Sequence, residues 1–88
     1  MRYKVKFSDL ALKQLKKMDI NIVNYILAWI RKNLENTEDP RQHGKGLLAD
    51  HSGQWIYRVG DYRLIADIDD KRIIILILEI RHRRKIYK

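Results

Sequence analysis

Apolar and polar residues alternate at the start of the chain. Tyr3, Val5 and Phe7 fall on one side and Arg2, Lys4 and Lys6 on the other. A period of two predicts a short strand with one wet face. Ser8 or Asp9 then stands where a helix N-cap is expected. Ala11, Leu15 and Met18 recur at spacings of four and three, with Leu12 beside them and Lys13, Lys16 and Lys17 facing out. This predicts a helix over residues 9–18. Asp19 is placed to cap a second helix, whose apolar stripe is Ile22, Ile26, Trp29 and Ile30, extended by Val23, Leu27 and Leu34. Trp29 reads as a core residue. With so short a connection, the two helices should form a tight hairpin, ending where Asn36, Thr37, Asp39 and Pro40 bring turn chemistry.

Residues 40–53 carry the single proline and three of the four glycines and show no clear period. Leu47 and Leu48 are the expected anchors of this stretch to the core. Gly44 and Gly46 flank Lys45 and read as an ordinary turn, with a small anion-binding nest as the alternative.

Beyond residue 53 the pattern is that of a sheet. Trp55, Tyr57 and Val59 alternate with Gln54, Ile56 and Arg58; after Gly60-Asp61, Tyr62, Leu64 and Ala66 alternate with Arg63, Ile65 and Asp67. The Gly-X pair suits a two-residue II′ hairpin turn. A second turn at Asp69-Asp70-Lys71 leads into residues 72–80, an apolar run that predicts a central strand covered on both sides. The order is β-α-α-β-β-β. It predicts a single two-layer α+β domain over residues 1–88, with the N-terminal strand and helical hairpin packed on an antiparallel sheet.

Composition narrows the function classes. The 88 residues include no cysteine, which removes disulfides, thiol nucleophiles and thiolate metal sites. His43, His51 and His82 show no metal-ligand spacing, and Ser8 and Ser52 lack a nucleophile-elbow setting. No cofactor is expected. Charges interrupt the N-terminal segment, and the longest apolar run, Ile73–Leu78, is far shorter than the roughly 20 residues a bilayer requires. A cytoplasmic protein with no membrane partner is the expectation.

The net charge is +8, and half of that excess lies in residues 79–88. Such a cluster attracts RNA, DNA or an acidic protein. Pairing Val59 with Tyr62 across the turn sets Arg58 beside Arg63, two like charges that gain from an anionic partner. The last strand delivers His82, Arg83, Arg84, Lys85 and Tyr87, which are expected to converge near Arg63. Arginine forks suit phosphoryl oxygens, histidine is the side-chain type whose reference value suits proton transfer at neutral pH, which makes His82 a candidate, and Tyr87 can stack on a base. From the residues alone, RNA cleavage and simple RNA binding are equally open.

Three segments in this order and spacing, residues 40–48 (PRQHGKGLL), 53–65 (GQWIYRVGDYRLI) and 79–87 (EIRHRRKIY), resemble the RelE branch of the RelE/ParE toxin superfamily. The resemblance spans essentially the whole chain. It implies a ribosome-dependent, metal-independent endoribonuclease that cuts mRNA in the ribosomal A site and is silenced by an acidic antitoxin. It also implies catalytic roles for Arg58, Arg63, His82, Arg83 and Tyr87, and RNA contacts for Lys45, Tyr57, Arg81, Arg84 and Lys85. Ile56 stands where some members carry a lysine, and the 45–48 stretch lacks the acid others use, so the general base is unassigned. Arg81 is an alternative source of one basic role. The ParE branch, which inhibits DNA gyrase, shares the fold, so a gyrase inhibitor or a non-catalytic RNA-binding module is the alternative reading.

Overall fold

The chain runs through β1 (Lys4–Phe7), α1 (Asp9–Lys16), α2 (Ile20–Asn33), β2 (Lys45–Gly46), β3 (Gln54–Val59), β4 (Tyr62–Asp69) and β5 (Ile74–His82). The computed structural model describes residues 1–46 and 54–82, so the expected anchors Leu47 and Leu48 lie outside the described residues. The strands form one sheet in the order β1-β5-β4-β3-β2. β1 runs parallel to β5, and the remaining neighbours are antiparallel.

Local chemistry fixes the helix starts. The Ser8 hydroxyl accepts the Ala11 N–H at 3.0 Å, capping α1, and itself donates to the Leu78 carbonyl at 2.6 Å. Asp19 caps α2 through the Asn21 N–H. α1 ends at Lys16, two residues before the expected limit, because the Lys17 N–H turns back to the Gln14 and Leu15 carbonyls.

One face of the sheet packs against the helices. Ala11, Ile26 and Leu34 meet Tyr57, Val59, Leu64, Ile75 and Ile77 there, all fully buried. The alternation of β3 and β4 forces this choice, since turning either strand over would bury Arg58 or Arg63. Tyr57 gives its hydroxyl to the Pro40 carbonyl at 2.5 Å, and burial pushes its phenol well above the ordinary range. Its ring also meets Trp29, with centroids 5.9 Å apart. The residues after α2 cover the outer edge of β1. Tyr3 N–H reaches the Thr37 carbonyl at 2.9 Å, and Val5 N–H reaches the Glu35 carboxylate at 2.9 Å. An edge so occupied offers little template for stray pairing.

β5 departs from expectation in three ways. It begins at Ile74 rather than residue 72, because the Asp69 carboxylate takes the Lys71 and Arg72 N–H groups and holds them in a turn. It is central, lying between β1 and β4, but the helices cover only one face; Ile74, Leu76 and Leu78 on the other are half-buried. It also carries a bulge. Ile65 faces Glu79 while Ala66 faces Ile77, leaving Leu78 as an extra residue. That residue reverses the in-out alternation of everything after it. The last turn of the strand's alternation therefore sends Ile80 and His82 toward the helices and Arg81 away from them.

Candidate nucleic-acid interface

The site lies on the sheet face away from the helices and is built by register. The hairpin turn has Gly60 at φ +60°, a conformation a glycine adopts without strain, and Val59 pairs with Tyr62 across it. One position further in, Arg58 stands opposite Arg63, and Arg63 stands opposite Arg81 on β5. Directly opposed residues in antiparallel strands share a face. Three arginines therefore line up across β3, β4 and β5. The parallel row beneath them is Lys45, Ile56, Ile65 and Glu79.

A concavity of about 360 Å³ opens on this surface, lined by Gly44, Lys45, Ile56, Arg58 and Arg63. Gly44, at φ +76°, lets the loop press on β3: a Cβ here would overlap the Ile56 carbonyl and crowd the Trp55 indole. The Trp55 Nε1–H donates to the His43 carbonyl at 2.6 Å and pins the same loop from the other side. Close backbone approach, rather than an N-terminal helix dipole, shapes the floor.

The electrostatics are lopsided. Among the described residues, Lys45, Arg58 and Arg63 have no carboxylate within 4.0 Å. Arg81 is held by Glu79 through two hydrogen bonds, Nε–H to Oε2 at 3.0 Å and Nη2–H to Oε1 at 3.1 Å. That contact raises the Arg81 guanidinium further above its ordinary value. Opposed like charges weaken a sheet, and an arriving phosphate offsets the cost with charge-assisted, fork-shaped hydrogen bonds. The arrangement suits an anion with several oxygens.

The structure thus gathers Lys45, Arg58, Arg63 and Arg81. It does not gather two other expected residues with them. Tyr57 was expected at the RNA, but its side chain is fully buried on the opposite face, bonded to Pro40, where no base can reach it. His82 was expected near Arg63, but the Leu78 bulge turns it to the helix side. There it meets Tyr62 edge-on, with ring centroids 4.8 Å apart, beside a groove of about 760 Å³ that also touches Gln14, Lys17 and Met18. Arg81 occupies the position on Arg63's face that His82 was expected to share. Arg83, Arg84, Lys85 and Tyr87 lie outside the described residues. Glu79 went unnoticed in the sequence, although its spacing of two from Arg81 on a strand places both on one face. Among the described residues, no three His, Asp or Glu side chains cluster so as to hold a metal ion, and no helix is long and apolar enough to cross a membrane.

A helical hairpin on one side of a mixed five-stranded sheet, with a row of arginines on the other, defines a small basic α+β protein. Comparison with known proteins gives the class a family. The chain matches the ParE toxins of type II toxin–antitoxin systems (parDE) over residues 5–87. It is 32% identical to toxin RelG of Mycobacterium tuberculosis over 88 residues, covering 100% of this chain and 99% of RelG. Its fold matches the RelBE2 toxin–antitoxin complex of the same organism with a TM-score of 0.82 at 30% identity, covering 94% of this chain and 93% of that one. The archaeal RelE–RelB complex of Pyrococcus horikoshii gives a TM-score of 0.69 at 27% identity, covering 94% of this chain and 97% of that one. The intact E. coli RelBE complex shares the fold, with a TM-score of 0.74 at 18% identity, covering 91% of this chain and 95% of that one. The chain belongs to the RelE/ParE superfamily of type II toxin–antitoxin toxins, on its RelE branch.

Proposed function

We propose that this protein is a ribosome-dependent endoribonuclease that cleaves mRNA in the cytoplasm without a metal ion or other cofactor, and that an acidic antitoxin silences it. The observation that carries the reading is the row Arg58–Arg63–Arg81 with Lys45 beside it, on one exposed face and across three strands. Transesterification of RNA needs a site of this kind. The 2′-oxygen attacks the adjacent phosphorus, a pentacovalent phosphorane gathers negative charge, and the bond to the 5′-oxygen breaks. The products are a 2′,3′-cyclic phosphate and a 5′-hydroxyl. Guanidinium groups fixed in advance around the phosphoryl oxygens stabilise that charge as it develops. They are poor bases, because a guanidinium holds its proton throughout the range in which proteins work.

Membership of the RelE branch supports the ribosome as the setting and mRNA as the substrate. The relatives whose structures contain both toxin and antitoxin support a proteinaceous inhibitor. A chain of net charge +8 favours an acidic one. Arg83, Arg84, Lys85 and Tyr87 complete the proposed set, with the three basic residues on the RNA backbone and Tyr87 stacked on a base.

The test is to map messenger 5′ ends after brief expression of the full chain, with Arg63→Ala as control. New translation-dependent ends in the wild type that vanish in the variant are expected. Intact messenger together with lost gyrase supercoiling activity would replace this reading with the ParE-like one.

A further inference from the structure

The arginine row leaves one chemical role unfilled. Attack by a 2′-hydroxyl is fast only when its proton is removed as the new bond forms, and this falls to a group that is unprotonated near neutrality. Arg58, Arg63 and Arg81 carry guanidinium groups, which are poor bases, and Lys45 places an exposed amine on the same face. His82 stands on the other side of the sheet. Of the carboxylates on this face among the described residues, Asp67 and Asp69 stand further along β4, and the one in the row next to the arginines is Glu79. It is opposite Ile65 and diagonal to Arg63, and it shares a side of β5 with Arg81.

We infer that Glu79 is the general base of the proposed cleavage, held in place by Arg81. The inference rests on the endoribonuclease reading above. Arg81 has five N–H donors, of which two point to Glu79. The remaining three are available to a non-bridging phosphate oxygen. Glu79 in turn uses one lone pair on each oxygen, leaving one on each to accept a proton. A single guanidinium thus ties the carboxylate to the phosphate, which sets Glu79 beside the ribose of the same nucleotide.

The step balances. Glu79 takes the proton of the 2′-hydroxyl, the 2′-oxygen bonds to phosphorus, and the phosphorus–5′-oxygen bond breaks. The 5′-oxygen leaves with the electron pair and is protonated by water. The charged groups facing Glu79 are Arg81 on its own strand, Arg63 and, on the other diagonal, Asp67 on β4, and, across the groove at the open end of β5, Lys17 at the C-cap of α1. His82 lines that groove as well. Glu79 and Arg81 form the rim between the groove and the arginine face, and the Glu79 side chain keeps 30% of its surface open.

The experiment compares single-turnover cleavage by wild-type, Glu79→Gln and Glu79→Asp chains on programmed ribosomes over pH 5–9, alongside binding of a 2′-deoxy messenger that cannot react. Glu79→Gln retains an acceptor for Arg81 but cannot take the proton. Its cleavage should fall by about 10²–10⁴-fold, with binding within threefold and the acid limb of the pH profile gone. Glu79→Asp, a base with shorter reach, should recover part of the rate and the acid limb with it. Glu79→Gln cleavage within threefold of wild type would overturn the assignment. So would a loss confined to binding, or an acid limb that survives in Glu79→Gln. Thermal unfolding of each variant separates these outcomes from misfolding. If the wild type itself makes no cut, the endoribonuclease reading fails first.

Discussion

Arg63 faces Arg81 across the β4–β5 ladder on the exposed side of the sheet, while their chain neighbours Tyr62 and His82 face each other on the helix side. Two adjacent pairs of one ladder therefore serve separate purposes. The first gathers charge and the second closes the end of the core.

That division gives Arg63 a stability cost as well as a role. Replacing it with Gln removes a like-charge contact with Arg58 and Arg81, so the folded state should gain about 0.2–1 kcal/mol. Cleavage should fall at least 10²-fold, the usual size of loss for one charge-stabilising donor. Urea unfolding and single-turnover cleavage on the same preparation check both halves. A variant that loses stability would show that the arginines are not in conflict.

His82 should behave in the opposite way. His82→Ala removes an aromatic contact with Tyr62, costing about 0.5–1.5 kcal/mol, and leaves cleavage within a few-fold because the imidazole does not face the arginine row. A cleavage loss comparable to that of Arg63→Gln, with the fold intact, would return His82 to the chemistry.

Gly44→Ala tests the floor of the concavity. A Cβ there meets the Ile56 carbonyl, and the backbone sits at φ +76°. The variant should lose about 2 kcal/mol or more, and RNA affinity should drop as Lys45 is displaced. Calorimetric unfolding with filter binding reads both effects.

Stability at low pH should depend on Asp70. Its carboxylate accepts two bonds from Arg41, at 3.2 and 3.0 Å, and one from the Tyr3 hydroxyl at 2.7 Å. Arg41, and then Tyr3, hold its pKa below the usual carboxylate range. A pKa lowered by folding adds stability that is complete above the unfolded value of about 3.9 and lost as pH falls through the folded one. Asp70→Asn should therefore show a shallower loss of stability between pH 5 and pH 2 than the wild type. Parallel curves would mean that the Arg41 clamp contributes nothing.

Much of this fold is legible in the residues. Ser8 and Asp19 cap the two helices as the sequence suggests, and Gly60-Asp61 sets the Arg58–Arg63 pairing. β1 joins the sheet, as an unpaired strand must. What the residues conceal is the Leu78 bulge. An apolar run from Ile73 to Leu78 has no polar marker of which side is out, so a shift of one residue costs nothing visible until Arg81 and His82 change places. Tyr57 is a different case. Its alternation with Arg58 already puts it in the core, and the family resemblance drew it toward the RNA against that pattern. The two-residue strand β2 is too short for any period to betray it.

The Ser8 hydroxyl touches both the start of α1 and the backbone carbonyl of the extra residue. Which side chain β5 shows beside Arg63 is therefore decided by whether Leu78 stands outside the pairing, not by the identities of the residues around it. Deleting Leu78 would remove the bulge and keep Arg81 opposite Arg63, whereas drawing Leu78 into regular pairing would exchange a guanidinium for an imidazole on the Arg63 face without altering any letter of the sequence.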